Sequence, residues 1–208
     1  MTHPSRFNNI PLMGLELIPD DVRGRYQIEE RLHACSILES DFPDEWADIL
    51  GCLDTFVLKR SDVLTAGGNK SPISKAIDAY LNARGWDERS FDTAVVVDGV
   101  AVETPTHKID NFKNRIGVEV EWNNKDPFFD RDLNNFRLLH QLGVLSVGVI
   151  ITRLWELQQE FIKLGKGASY GMNTTHFGKL LPKVNGGGAG GCPLLLVGMG
   201  FGCYDPHS

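Results

Sequence analysis

Glu119 and Glu121 flank Val120 on an otherwise apolar stretch, nine residues after Asp110. Val118, Val120 and Trp122 alternate with the two glutamates, the period-2 pattern of a strand with one apolar face. Alternate side chains leave a strand on the same side, so the glutamates emerge together, roughly 6–7 Å apart at their Cα atoms. Residues 111–115 read as a turn, and a hairpin there brings Asp110 beside Glu119. Three carboxylates then share one small volume. Like charges held that close repel and raise each other's pKa. A divalent cation with oxygen ligands relieves this, and Mg2+ favours a few carboxylates together with waters and phosphate oxygens. The competing reading of Glu-Val-Glu alone is a solvated strand face.

The flanking elements hold this strand in place. Asp126-Pro127 opens a helix over 128–142 with Leu133, Phe136 and Leu139 inward, and Gly143 stops it. Residues 144–152 form a nearly continuous apolar run, as expected of a strand buried on both faces. Strand, helix and strand make a crossover unit with parallel strands. Upstream, 22–38 and 45–58 carry apolar residues at helical spacing. Ser71 caps a helix over 73–84, with Pro72 at its first position. Gly67-Gly68 before it reads as a loop, since the full phosphate-loop spacing is lacking. Asp98-Gly99 turns a hairpin between 93–97 and 100–103. Downstream come a helix over 154–164, a polar loop over 165–175, a short helix over 176–181, a glycine loop over 186–191 and an apolar strand over 193–199. The expectation is α/β (α+β), a central mixed β-sheet flanked by helices, as one domain over 1–208 whose first part, 1–66, is mainly helical.

Composition is that of a globular chain, with 42% hydrophobic and 23% charged residues. No apolar run is long enough to cross a membrane, and the N-terminus lacks the parts of a signal peptide. Cys35, Cys52, Cys192 and Cys203 are scattered without metal-ligand pairing, which suits free thiols in a reducing cytosol. Net charge is −6, which argues against a nucleic-acid partner. Its distribution is uneven: residues 1–58 hold 4 basic and 11 acidic side chains, whereas 153–184 hold 5 and 2. A local DNA-facing surface can therefore sit late in the chain.

Ile109-Asp110, eight residues, then Glu119-Val120-Glu121-Trp122 resembles the catalytic core of the PD-(D/E)XK nucleases. Within that group it more closely resembles type II restriction endonucleases of the BglII and BstYI kind, whose motif runs Ile-Asp, eight residues, Glu-Val-Gln-Phe. The resemblance extends over roughly 67–202. The position usually held by Lys, and by Gln in BglII-like members, is Glu121 here; BamHI, a structural relative of that group, also has Glu. This departure leaves the general base open.

The resemblance implies Mg2+-dependent hydrolysis of phosphodiesters in palindromic double-stranded DNA by a homodimer, with one or two ions per subunit. Asp110 and Glu119 would hold the metal with the Val120 carbonyl. Glu121 would orient or deprotonate water, or help hold a second ion. Glu88 is the nearest upstream acid, with Asp87 and Arg89 as rivals. Asn124 matches a base-contacting position. Ser169, Tyr170, Asn173, Thr174, Thr175 and His176 offer hydroxyl, amide and imidazole groups of the kind that read base edges. Lys179, with Lys163, Lys166 and Lys183, would meet phosphates. A nuclease of the same fold without sequence specificity, a catalytically inactive DNA-binding protein, and a carboxylate-metal hydrolase acting on another substrate are the alternatives.

Overall fold

The computed structural model describes residues 14–65 and 70–208; the Gly67-Gly68 pair lies outside them. The chain opens with α1 (Asp20–Arg25), β1 (Tyr26–Arg31), α2 (Ala34–Asp41) and α3 (Pro43–Thr55). Next come β2 (Leu58–Lys59), α4 (Arg60–Leu64) and α5 (Pro72–Asn82). Five strands follow: β3 (Asp87–Arg89), β4 (Asp92–Val97), β5 (Val100–Pro105), β6 (Ile109–Lys113) and β7 (Ile116–Glu121). The remainder is α6 (Pro127–Gln141), β8 (Val147–Arg153), α7 (Gln158–Lys163), α8 (Phe177–Asn185), β9 (Leu194–Met199) and β10 (Tyr204–Asp205).

The central mixed sheet runs β1-β9-β8-β7-β6-β3. β7, β8 and β9 are parallel; β6 and β1 run antiparallel to them. The three parallel strands are buried along their whole length, which is why β9 reads as an unbroken apolar run and β8 as one up to Thr152. On one face Val118, Val120, Val149 and Ile151 pack with Leu38, Trp46, Ile49, Ile73 and Ile77 of α2, α3 and α5. On the other, Ile150, Leu194 and Leu196 pack with Phe129, Leu133 and Phe136 of α6 and Phe177 and Leu180 of α8. The architecture is three-layered, and β7 lies inside it. All four cysteines are free and buried.

Local chemistry explains most boundaries. The Ser71 hydroxyl accepts from the Ser74 amide at 3.0 Å, with Pro72 beginning α5. Gly85 and Gly143, at φ 84° and 70°, follow α5 and α6 in the left-handed conformation that ends a helix at low cost. Asp98-Gly99 turns the β4–β5 hairpin, both residues at positive φ.

Three expectations are corrected. Residues 22–38 are not one helix but α1, β1 and α2. Leu32 and His33 both sit at positive φ, 55° and 61°, which no continuous helix accommodates, and Tyr26–Arg31 pairs with β9 along its full length. The turn between β6 and β7 is shorter than 111–115. Only Asn114 and Arg115 leave the ladder, both at positive φ, as a two-residue hairpin turn requires. α8 continues through Pro182 to Asn185, because its apolar stripe Phe177, Leu180, Val184 continues and only one helical hydrogen bond is lost.

Candidate active site

The β6–β7 register sets Asn111 opposite Val118, which places Asp110 alongside Glu119. The Asp110 amide donates to Glu119 Oε2 at 3.3 Å, and the Val120 amide donates to Asp110 Oδ2 at 3.4 Å. Glu119 and Glu121 share the face that α6 covers. Each is only 1% exposed, so that face is protein interior rather than solvent. The start of α6 brings two further groups. Arg131 Nη2 lies 3.4 Å from Glu121 Oε1 and 2.8 Å from Asp132 Oδ1, and Asp132 is itself buried. Asn124 Nδ2 donates to Glu121 Oε2 at 2.6 Å. On the other side Lys70 Nζ stands 2.5 Å from Asp78 Oδ2 and 3.6 Å from Asp110 Oδ1. Asn111 Nδ2 donates to Asp78 Oδ1 at 2.8 Å.

Crowding four carboxylates into one buried volume shifts their protonation. Burial, then Asp132 and Asp110, hold Glu119 well above the usual carboxylate range. Burial, then Asp132, push Glu121 up to about 9, against the opposing pull of Asn124 and Arg131. Burial also raises Asp132, opposed by the hydrogen bond with Glu121 and by Arg131. It raises Asp110 too, opposed by Lys70 and the Val120 amide.

These groups meet a cleft of about 390 Å3 lined by Lys70, Glu88, Asp110, Glu121, Asn124 and Arg131 among others. Glu119 lies behind it. Glu119 Oε1 and Asp132 Oδ2 are buried without a hydrogen-bond partner among the described residues. Buried, uncompensated carboxylate oxygens are the donor chemistry that a hard divalent cation takes. In this arrangement Lys70, Arg131 and Asn124 stand on the outward oxygens. Among the described residues no group of three or more His, Cys, Asp or Glu side chains is set to hold an ion. The donor set fits a metal, while the side chains as placed answer its charge with the chain's own cations. Glu88, on edge strand β3, reaches the cleft wall but is mostly exposed. Its hydrogen bond from Lys108 at 2.8 Å holds its carboxyl below the usual range.

The loop before α8 is stitched to the segment after β7. Thr175 N donates to Asn124 O at 2.8 Å, Asp126 N to Asn173 O at 3.3 Å, and Lys125 bridges Thr174. The Thr175 hydroxyl, 0% exposed, donates to the Glu121 carbonyl and accepts from the Asn123 and Asn124 amides at 3.4 and 3.1 Å. Asn124, Ser169 and Asn173 are exposed. Lys179 is half-buried beside Asp126 at 3.8 Å, Lys183 pairs with Asp130 and Lys163 with Glu160. Tyr170, Thr175 and His176 are buried, so the loop is not a row of free polar side chains. The Tyr170 hydroxyl accepts from Trp122 Nε1 at 3.3 Å. Thr174 donates to the Gly171 carbonyl and accepts from Arg153. His176 lies on Trp155, centroids 4.9 Å apart, and burial, then Arg153 and Lys179, lower its pKa to about 4.

Sequence reading missed Lys70, Asp78, Arg131, Asp132 and Arg153. One signal was present: Ser74 and Asp78 fall on the same side of α5 as Ile73, Ile77 and Leu81, polar groups on a buried stripe. Asp132 carries no such mark, since Asp130-Arg131-Asp132 reads as an ordinary charged stretch near the start of a helix.

A family model described as restriction endonuclease BglII/BglIII matches residues 26–199, from the first residue of β1 to the last of β9. No curated protein matches the chain. With most of its length covered by that match, the chain belongs to the BglII/BglIII restriction endonuclease family, whose members are site-specific deoxyribonucleases.

Proposed function

We propose that the chain is a Mg2+-dependent type II restriction endonuclease that cuts palindromic double-stranded DNA as a homodimer. The observation that carries this reading is the stack of carboxylates, half-buried Asp110 beside buried Glu119 and Glu121, at the base of a cleft whose walls carry Lys70 and Arg131. Asp110 and Glu119, with the Val120 carbonyl, would hold Mg2+, one or two ions per subunit. When bound, the metal offsets charge building on the phosphate and makes water a better nucleophile. Glu121 orients the attacking water, and in its ionised form, which the charge of a bound Mg2+ would favour over the proton it holds without metal, it can take the water's proton. The water oxygen bonds to phosphorus and the P–O bond to one sugar oxygen breaks. Lys70 and Arg131 face the phosphate. Glu88 stands at the cleft mouth; Asp78, tied to Lys70 and Asn111, is the better-placed upstream acid.

Recognition falls to Asn124, Ser169 and Asn173, with Lys179 at the backbone. Tyr170, Thr174, Thr175 and His176 build the loop that carries them. One carboxylate cluster per chain cuts one strand, so a double-strand break takes two copies, and a palindrome matches their two-fold axis.

Digesting a plasmid of known sequence with Mg2+ and sequencing the ends tests the reading. Defined, self-complementary cut sites are expected. Asp110→Ala and Glu119→Ala should each abolish cutting while keeping the wild-type circular dichroism. Full cleavage by either variant would overturn the assignment.

A further inference from the structure

Arg153, the last residue of β8, is 0% exposed. No carboxylate among the described residues pairs with it. The only described hydrogen bonds of its side chain run from Nη2, to the Tyr170 carbonyl at 3.0 Å and the Thr174 hydroxyl at 2.9 Å. Nε and Nη1 have no partner among the described residues. Three aromatic rings surround the guanidinium, those of Trp155, Phe161 and Tyr170, with centroids 5.4, 5.7 and 5.9 Å from its central carbon.

A buried cation without a counter-charge is a cost to the fold, and apolar side chains of similar volume commonly replace such groups without loss of stability. Burial lowers the pKa of Arg153 to about 10, which agrees with an uncompensated charge. Both of its partners lie on the loop that presents Ser169 and Asn173. The next residue of that loop, Thr175, carries the hydroxyl that meets the Glu121 carbonyl and the Asn123 and Asn124 amides. Arg153 therefore holds one side of a short hydrogen-bonded path whose other side is the end of β7.

We propose that Arg153 is a positioning residue for sequence discrimination. It sets the loop 170–175 in the register that, through Thr175, places Asn124 for base contact and Glu121 for catalysis. The proposal rests on the functional reading above and adds to it a buried pair, Arg153 and Thr175, that joins recognition to cleavage without touching DNA.

The experiment uses the full chain and two duplexes, the cut site and the same site with one base pair changed. Binding is measured in EDTA and single-turnover cleavage in Mg2+, with thermal melting beside them. Arg153→Met should melt within a few degrees of the wild type, yet its preference for the correct duplex should fall by about tenfold or more, the scale of one lost base contact. Arg153→Lys, which keeps a charge and a donor, should recover part of that preference. Thr175→Val should lower cognate cleavage more than cognate binding, and Thr175→Ser should restore it.

A purely structural arginine gives the opposite pattern: a large loss of melting temperature with discrimination intact. That result, or a folded Arg153→Met protein with wild-type preference, overturns the proposal. If Arg153→Met does not fold, Arg153→Lys and the Thr175 pair decide by the same ratios. A wild-type protein that cuts no duplex instead overturns the functional reading, so the two failures are told apart.

Discussion

Glu121→Gln, examined without metal or DNA, tests the electrostatics of the carboxylate cluster. The folded protein holds a proton on Glu121 up to about pH 9, whereas an unfolded glutamate releases it near pH ~4.3. The folded state therefore binds more protons across the interval, and stability must fall as pH rises through it. One proton corresponds to about 1.4 kcal/mol per pH unit. Between about pH 6.5 and 8.5, Glu121 alone removes roughly 2–3 kcal/mol. For a chain of this size that is a drop in melting temperature of roughly 5–10 °C.

The window is chosen to isolate the cluster. His176, lowered to about 4, exchanges its stability contribution below about pH 6.5. The buried thiols, raised by burial, begin to matter above about pH 8.5, where unfolded cysteines ionise. Calorimetric melting in EDTA across this window should show the wild type losing stability steeply and Glu121→Gln losing about 1.4 kcal/mol less per pH unit. The variant should also melt higher than the wild type at the alkaline end. Parallel slopes for the two proteins would refute the reasoning, because Glu121 would then be ionised in the folded state at neutral pH.

Other consequences are simpler to read. Adding Mg2+ to the DNA-free protein near pH 8 should raise the wild-type melting temperature, and Asp110→Ala should lose that response. Asn173→Ala should narrow the distinction between cognate and scrambled duplexes by ~1–3 kcal/mol. Lys179→Ala should instead weaken both and flatten the salt dependence; gel-shift titration at two salt concentrations separates them. Gly148→Ala drives a Cβ into the Phe136 ring and should cost about 1–3 kcal/mol by overpacking α6 against β8, seen as a lower melting temperature with the motif residues untouched. Light scattering should find a dimer at working concentration, and a strict monomer on and off DNA would count against paired cutting.

What could be read in the sequence was whatever local chemistry decides. The alternation of Val118, Glu119, Val120, Glu121 and Trp122, the Ser71-Pro72 helix start, the Asp98-Gly99 turn and the stop at Gly143 each rest on a few adjacent residues. β1 was hidden for the opposite reason. Its residues, Tyr26 to Arg31, are charged enough to pass for a helix. Only pairing with β9, from Tyr26 opposite Met199 to Arg31 opposite Leu194, makes them a strand. Lys70 and Asp132 were illegible on the same ground, since they come to the cluster by packing and not by spacing, whereas Asp78 showed only as a polar group on the buried stripe of α5.

The loop is the sharper lesson. Ser169 to His176 has the composition of an outward, base-reading surface, yet Thr175 turns its hydroxyl inward. Past the end of β7 the Glu121 carbonyl and the Asn123 and Asn124 amides leave the strand ladder, and buried backbone groups must find partners. Thr175 takes the two amides and shares the Glu121 carbonyl with the Thr152 hydroxyl, which donates to it at 2.7 Å. Period-2 alternation likewise put Glu119 and Glu121 on one face without saying what covers it. The answer, α6 with Arg131 and Asp132, raises Glu119 well above the usual carboxylate range and lets Glu121 hold its proton near neutral pH, where both would be ordinary acids in water. Sequence patterns and the fold agree nearly everywhere, and they conflict at the buried carboxylates around Glu119 and at the uncompensated Arg153. Those are the places where stability is given up, and where local rules break in a folded chain, function is the reason to look for.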